Sequence, residues 1–193
     1  MSRRLYVLRH AKSSWDDPGL SDHDRPLAKR GRRATKPLRL YLQKHEIAPE
    51  LVLCSTARRA RETLERIEPA LGAPTVRREP ALYAASAEAL LDRLRDVPDA
   101  VTSVMLIGHS PGIEDLADTL TGSPVGSKFP TAALATLELL SARWGDTGPG
   151  TAKLIDFVRP VTWSDRSVDE RCGLARGRSR PHGDCTVGPD STR

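Results

Sequence analysis

From residue 5 to residue 158 the chain alternates between short apolar runs and longer stretches in which apolar side chains recur every three or four positions. The apolar runs have the length of buried strands and cover residues 5–8, 51–54, 103–107, 132–140 and 153–158. The periodic stretches are typical of amphipathic helices and cover residues 27–44, 57–71, 86–94 and 110–122. Strands that alternate with helices predict an α/β fold, a three-layer α/β/α sandwich whose central sheet is mostly parallel.

Local signals refine three of these helices. Pro37 lies inside the first helix, where it removes a backbone hydrogen bond, so we expect a kink or a division there. Ser86 is typical of an N-cap, the residue whose side chain accepts a free backbone N–H at the start of a helix. Ser110 followed by Pro111 predicts another N-cap with proline at the first helical position, and Gly122 predicts the end of that helix.

The composition changes after Trp163. Residues 164–193 are rich in Arg, Gly, Ser, Pro and Asp, and they contain only three large aliphatic side chains. Such a segment cannot bury enough apolar surface to offset the entropy lost on ordering it. We therefore expect one domain over residues 1–163 and a disordered tail over residues 164–193.

The chain has 193 residues, a formal net charge of +5 and 4% aromatic residues. The charge favours anionic partners, but the Lys and Arg residues are scattered and few aromatic rings lie among them to stack bases, so we expect no nucleic-acid partner. The apolar run after Arg4 ends at Leu8, too short for a signal peptide, and no later run could span a membrane. Three cysteines without paired spacing argue against a disulfide framework. We therefore expect a cytoplasmic protein without a membrane partner, and we take it to be a monomer.

Polar side chains with related chemistry follow three of the apolar runs. The runs are followed by Arg9-His10, by Ser55 with Arg58-Arg59, and by Gly108-His109-Ser110. Because the carboxyl ends of parallel strands line the ligand crevice of an open α/β sheet, we expect these residues to meet at one edge. The helix start after His109 offers free N–H groups and a positive dipole end, and guanidinium groups such as those of Arg9 and Arg59 match phosphate oxygens. The pattern therefore predicts a phosphate pocket.

A metal site is the main chemical alternative for two histidines. A metal would need further ligands at usable spacing. The polar loop before the first helix contains five candidates: Asp16, Asp17, Asp22, His23 and Asp24. The neighbouring arginines would repel a cation, so we rank metal binding below phosphate binding and expect no metal.

The motifs resemble those of the histidine phosphatase superfamily, the phosphoglycerate-mutase-like group. Residues 8–13 are similar to its Arg-His-Gly signature, with Ala11 in place of Gly. Residues 55–63 are similar to its second motif, with Thr56 in place of Pro, and residues 108–112 resemble the motif around its second histidine. Further stretches look like the small SixA-type phosphohistidine phosphatase branch: residues 13–15, 24–27, 30–31 and 82–86.

The resemblance implies a role for each residue of the pocket. His10 would attack phosphorus and carry a covalent phosphohistidine intermediate. Arg9, Arg59 and a cationic His109 would hold the phosphoryl oxygens, and Ser110 at the helix start would join this phosphate-binding set. The resemblance implies no metal and no other cofactor, because these side chains supply the positive charge.

Two further assignments depend on the same resemblance. The second motif selects Arg59, and not its neighbour Arg58, as the phosphate-binding arginine. The acid that protonates the leaving group has no clear motif, and Glu79 is the best positional match. The alternative interpretation of Glu79 is a surface carboxylate paired with a neighbouring arginine.

The resemblance implies the activity of a phosphatase. The lack of a clear motif for the proton donor bears on which substrate it hydrolyses. An alkoxide leaves poorly without a strong proton donor, whereas the imidazole of a phosphohistidine leaves more readily. We therefore expect phosphohistidine in proteins as the substrate, with small-molecule phosphoesters as the alternative. Two other hypotheses are a phosphomutase, which would need a lid-sized insertion that the chain does not show, and a non-catalytic phosphate-binding module.

Overall fold

The computed structural model of the chain describes residues 2–160. The strands are β1 (Arg3–Arg9), β2 (Leu51–Ser55), β3 (Thr75–Glu79), β4 (Ser103–Gly108), β5 (Leu134–Leu139) and β6 (Ala152–Val158). The α-helices are α1 (Lys29–Lys44), α2 (Arg58–Ile67), α3 (Ala87–Arg95) and α4 (Gly112–Thr121). Short 3-10 turns are formed by Glu68–Ala70, Pro80–Leu82 and Trp144–Asp146. In this part of the chain no helix combines the length and the apolar character needed to cross a membrane, and the predicted tail over 164–193 lies outside the described residues.

The strands form one mixed sheet in the order β3-β2-β4-β1-β5-β6. Strand β1 pairs in parallel with β4, and β2 pairs in parallel with both β4 and β3, whereas β5 and β6 run antiparallel to their neighbours. The parallel strands β2, β4 and β1 therefore end at the same edge, where Arg9 lies opposite Gly108 and Cys54 lies opposite Ile107. The predicted α/β fold with a mostly parallel sheet is confirmed, and the three sequence motifs follow one sheet edge.

Alternate side chains of the strands fill two separate cores. On one face, Leu5 and Val7 pack with residues of α3 and α4. On the other face, Leu8 and Val52 pack with residues of α1 and α2. Because each fully buried aliphatic side chain contributes about 1.5–3 kcal/mol, both layers of helices hold the sheet firmly. This arrangement is the predicted three-layer sandwich.

Strand β3 is the element that the sequence pattern does not predict. Its sequence, TVRRE, has one large apolar side chain, Val76, and it lies at the edge of the sheet with β2 as its partner. A half-exposed edge strand needs neither a continuous apolar run nor strict alternation, so its residues show no strand pattern.

Helices α1 and α2 differ from their predicted boundaries. Helix α1 begins at Lys29 rather than at residue 27, because Leu27 forms a β-bridge with Ser13. It continues unbroken past Pro37, so the helix is not divided there. Helix α2 ends at Ile67, and the last turn of the predicted stretch is a 3-10 turn.

The predicted caps have different outcomes. The Ser86 side chain accepts a hydrogen bond from the backbone N–H of Ala89 at 3.2 Å, which confirms the cap of α3. The N-cap assigned to Ser110 is wrong, because α4 begins at Gly112 and Pro111 occupies the capping position after a cis peptide bond. Helix α4 does end at Gly122 as predicted, and the φ of 71° at Gly122 lies in the left-handed region that favours glycine.

Candidate active site

His10 lies directly after β1 and is buried, with 7% of its surface exposed. Its Nδ1 lies 2.7 Å from the carbonyl oxygen of Ala11, which can only accept a hydrogen bond, so Nδ1 carries the proton. The other ring nitrogen, Nε2, is therefore unprotonated, and it accepts a hydrogen bond from Nε of Arg59 at 3.3 Å. This tautomer leaves a lone pair on Nε2 that can attack an electrophile.

Thr63 of α2 holds the loop after β1 in place. Its hydroxyl accepts a hydrogen bond from the backbone N–H of Ala11 at 3.0 Å and donates one to the carbonyl oxygen of Arg59 at 2.7 Å. Helix α2 and the segment that carries His10 are therefore tied together through one side chain.

Arg59 and Arg58 point in different directions from the first turn of α2. The Arg59 side chain is buried, and its guanidinium donates to His10, to the carbonyl oxygen of Asp22 and, at 2.9 Å, to the Asp22 carboxylate. The Arg58 side chain is 46% exposed and pairs with Glu62 at 2.8 Å. The structure thus brings Arg59, and not Arg58, against His10.

His109 follows β4 and lies beside His10, with 4.9 Å between the ring centroids. Its Nε2 lies 2.8 Å from the hydroxyl oxygen of Ser55, which ends β2. Three neighbouring strand ends, those of β1, β2 and β4, therefore contribute to one cluster, as the sequence motifs predict.

Three polar atoms around this cluster are buried and have no hydrogen-bond partner among the described residues. They are Nε of Arg9, Nδ1 of His109 and the hydroxyl of Ser110. Another nitrogen of Arg9 donates to the carbonyl oxygen of Phe129 at 2.6 Å, which fixes the side chain from the β5 side. Buried polar groups are rarely left unsatisfied, and a guanidinium N–H, an imidazole nitrogen and a hydroxyl beside a nucleophile suit an anionic ligand.

Asp22 also belongs to this cluster, although the sequence suggested it only as a possible metal ligand. Its carboxylate accepts hydrogen bonds from Arg59, from Arg25 at 2.6 Å and from the hydroxyl of Tyr83 at 2.8 Å. Partial desolvation raises the pKa of Asp22, but these hydrogen bonds outweigh it and hold the pKa well below its usual range. Asp22 is therefore ionised and acts as the acceptor that orients Arg59.

Two aromatic rings border the cluster. Tyr83 packs edge-on against His109, with 5.5 Å between the centroids, and edge-on against His23 at 5.0 Å. His23 is in turn within hydrogen-bond distance of Thr56 in the second motif, with 3.0 Å between Nε2 and the hydroxyl oxygen. Asp22, His23 and Tyr83 come from loops, where no spacing in the sequence could indicate that they meet.

Both clustered histidines are neutral at pH 7. Burial lowers the pKa of His10 to about 3, and the nearby His109, Arg59 and Arg9 also oppose its protonation. Burial is likewise the main reason that the pKa of His109 falls to about 4, assisted by the charge of Arg59. His109 is therefore neutral in the free protein, and a cationic His109 stays a prediction for the phosphate-bound site.

Glu79 lies at the end of β3, opposite Ser55 in the sheet register. Its two carboxylate oxygens accept hydrogen bonds from Arg93 of α3, both at 2.7 Å. The structure thus brings Glu79 to the correct edge of the sheet but directs its carboxylate to Arg93, and among the described residues it forms no hydrogen bond with the histidine cluster.

The polar loop that could supply metal ligands does not assemble into a metal site. Among residues 2–160, no group of three or more His, Cys, Asp or Glu side chains is arranged to hold an ion. Asp22 instead binds Arg25 and Arg59, and Asp24 accepts a hydrogen bond from Ser21 at 2.7 Å.

The chain matches the model of the histidine phosphatase superfamily (branch 1) over residues 5–87. An uncharacterised protein of Mycobacterium tuberculosis is 37% identical over 162 residues, which cover 79% of this chain and 99% of that protein. A crystal structure from Agrobacterium tumefaciens, assigned to phosphohistidine phosphatase SixA, is 31% identical with a TM-score of 0.73 and covers 83% of this chain and 99% of its own. Phosphohistidine phosphatase SixA of Escherichia coli is 27% identical over 153 residues, which cover 77% of this chain and 89% of that protein.

Proposed function

This chain belongs to the histidine phosphatase superfamily and is a phosphatase, and on that premise we propose that it removes phosphate from phosphohistidine in proteins through a covalent intermediate on His10. The observation that carries the proposal is the tautomer of His10. Its Nδ1–H donates to the Ala11 carbonyl, so the Nε2 lone pair faces Arg59, and the ring of the second histidine lies 4.9 Å away between centroids.

The proposed reaction has two steps. In the first, the lone pair of His10 Nε2 forms a bond to phosphorus while the bond from phosphorus to the leaving nitrogen breaks, and the substrate imidazole, already protonated on its other ring nitrogen, leaves as the neutral base. In the second, water attacks phosphorus and the bond to Nε2 breaks, which releases orthophosphate and returns neutral His10.

Positive charge for the transferred group would come from the arginines first. Arg59 already lies against Nε2, so a phosphoryl oxygen placed between them would replace that hydrogen bond, and Asp22 would keep the guanidinium oriented. Arg9, His109 and Ser110 would turn their unsatisfied polar atoms to the remaining oxygens. Because an adjacent anion favours the protonated form of imidazole, a bound phosphoryl group would raise the pKa of His109 and draw a proton to it.

The carboxylates of the site favour an N–P substrate. Asp22 is ionised and cannot donate a proton, and Glu79 is occupied by Arg93. Glu79 stays our candidate proton donor for a phosphoester, and it would have to leave Arg93 before acting. A phosphohistidine needs weaker acid catalysis because its imidazole is a better leaving group than an alkoxide. The likeness to SixA proteins of other organisms supports the same substrate class.

The proposal is tested with a phosphohistidine peptide, a phosphoserine peptide of the same sequence and p-nitrophenyl phosphate. We expect kcat/KM to be highest for the phosphohistidine peptide, and we expect acid-labile, base-stable phosphate on the enzyme trapped during turnover. The variant His10→Ala should lose both turnover and the trapped phosphate, since removal of a covalent nucleophile costs several orders of magnitude. Near-normal activity of that variant would contradict the mechanism, and a preference for the phosphoserine peptide would contradict the substrate.

A further inference from the structure

Lys and Arg occur throughout the sequence, but helix α1 is an exception to their scattered distribution and concentrates positive charge. Of its 16 residues, seven are basic and none is acidic. The basic residues are Lys29, Arg30, Arg32, Arg33, Lys36, Arg39 and Lys44. Four of the seven lie within the first five residues of the helix.

This charge pattern opposes the stability of the helix. Cations at a helix N-terminus repel the positive end of the dipole, and α1 has neither an acidic residue in its first turn nor a capping side chain. Like charges also face each other at helical spacing, as at Arg32 and Lys36 or Arg33 and Lys36. Local rules of helix stability are typically broken at functional sites, so the basic face of α1 is a candidate binding surface.

The basic side chains line an open groove of about 700 Å³ between α1 and the end of α2. Six of the lining residues are basic: Lys29, Arg32, Arg33, Lys36, Arg39 and Arg66. Glu65 is the one acidic residue of the lining. Within residues 2–160, Arg33, Lys36 and Arg66 form no ion pair, and Nε of Arg39 is buried without a hydrogen-bond partner.

The N-terminal end of the groove lies close to segments that build the candidate active site, although no residue of the histidine cluster lines it. Lys29 and Arg32 also line a neighbouring cavity of about 360 Å³ whose wall includes Arg25. Arg25 binds Asp22, and Asp22 orients Arg59. Basic side chains therefore follow α1 for about 15 Å, the rise over ten residue steps from Lys29 to Arg39, and the cavity at its N-terminal end also contains Asp16 and Asp17.

The groove fits an acidic protein segment better than a nucleic acid. No aromatic ring lines it on which a base could stack. Leu40 is 54% exposed and lies one helical turn beyond Lys36, which adds an apolar contact next to the charges. Apolar contacts beside basic ones suit a chain of carboxylates and aliphatic side chains rather than a phosphate backbone.

We propose that the basic groove of α1 and α2 docks an acidic segment of the protein substrate while its phosphohistidine occupies the pocket of His10. This inference rests on the proposed function, because it assigns the substrate of that same site. Recognition through rim charges raises the rate of encounter and weakens as salt screens the charges.

The test uses the full chain and two synthetic phosphohistidine peptides of equal length, one flanked on both sides by glutamates and the other by glutamines. We expect the wild-type protein to hydrolyse the glutamate peptide with the higher kcat/KM, and we expect the ratio of the two values to approach one at high salt. In Arg33→Glu/Lys36→Glu the ratio should fall by about tenfold or more, because two attractive charges become repulsive. In the matched control Arg77→Glu/Arg78→Glu, which reverses two exposed charges on edge strand β3, the ratio should not change.

A second measurement separates docking from folding. The groove variant should have an unchanged or raised midpoint of thermal unfolding, since acidic groups at 33 and 36 replace repulsion by attraction at helical spacing to Lys29, Arg32 and Arg39. An unaltered peptide ratio, or an equal fall in both variants, would overturn the docking proposal, as would tighter binding of duplex DNA or anionic vesicles than of the glutamate peptide. If p-nitrophenyl phosphate is hydrolysed and neither phosphohistidine peptide is, the proposed substrate is wrong. Fluorescence anisotropy with the unphosphorylated glutamate peptide then still tests the groove. Equal affinity of the wild type and the groove variant for that peptide would overturn the docking proposal.

Discussion

At the scale of single residues, Arg58 and Arg59 are neighbours with opposite environments. Arg59→Ala should lower kcat/KM roughly a hundredfold, which corresponds to a loss of about 3 kcal/mol of transition-state stabilisation. Such a loss is expected when a donor that stabilises transition-state charge is removed. Arg59→Lys should restore little, because an ammonium cannot reproduce the planar guanidinium. Arg58→Ala is the matched control and should keep most of the activity, since Arg58 pairs with Glu62 on the exposed side of α2. Steady-state kinetics of the three variants test this prediction. A large loss of kcat/KM in Arg58→Ala would assign phosphate binding to Arg58 and contradict the role of Arg59.

The two buried histidines make stability depend on pH. Burial lowers the pKa of His10 to about 3 and of His109 to about 4, whereas the unfolded chain has ordinary histidine values of about 6.5. The unfolded state therefore binds more protons below about pH 6.5, so this stability is fully present above that pH and is lost as the pH falls toward the folded pKa values. Urea unfolding at intervals between about pH 7.5 and 4.5 should show the free energy of unfolding decreasing with acidity. The decrease should be shallower in His10→Asn, and identical slopes would argue against a depressed pKa of His10.

The site residues that the sequence predicted lie at or just after strand ends, whereas those that it did not predict lie in loops. His10, Arg59 and His109 follow the ends of adjacent parallel strands, so chain order and strand polarity were enough to predict that they meet. Asp22 lies in a loop, and its hydrogen bond to Arg59 depends on loop conformation rather than on spacing. The partner of Glu79 was equally hidden, because Arg93 is on a helix 14 residues away along the chain. The charge state of His109 depends on burial, which motifs do not report.

At the scale of elements, α4 approaches the loop before α3 so closely that Gly112 has no room for a side chain. A Cβ atom at this position would lie 1.9 Å from the carbonyl oxygen of Ala85. Gly112→Ala should therefore shift the start of α4, lower the free energy of unfolding by about 1–3 kcal/mol and reduce activity by displacing His109. Gly145→Ala is the control, since its Cβ would have 3.9 Å to the nearest heavy atom, the end of the Arg143 side chain. Urea denaturation should separate the two, and equal stability would show that α4 can move without penalty.

Elements were predictable where burial imposed a pattern. Strands β1, β2 and β4 are covered on both faces, so each appears as a continuous apolar run. Strand β3 is half exposed, and its pairing with β2 is the only sign of its structure. The start of α4 was misplaced because Ser110 and Pro111 carry the residue types of a helix cap but adopt a different backbone geometry.

At the scale of the whole molecule, we expect residues 164–193 to be dispensable. Within residues 2–160 the last element of the sheet is β6, which ends at Val158, and the sequence of the tail has few apolar side chains to add to either core. Deletion of residues 164–193 should leave the free energy of unfolding and kcat/KM for p-nitrophenyl phosphate within experimental error of the full chain. A cooperative loss of stability on truncation would show that the tail packs on the domain.

The central position of β1 has a consequence for synthesis. This strand carries His10, and its two neighbours in the sheet, β4 and β5, begin only at Ser103 and Leu134. At about 5–20 residues per second, a ribosome needs roughly 5–25 s after finishing β1 to complete these partners. During that interval the apolar side chains of β1 have no sheet to enter, and the histidine has neither His109 nor Asp22 held in place around it. We therefore expect an incomplete nascent chain to be inactive and the enzyme to gain activity only as the last third of the domain is translated.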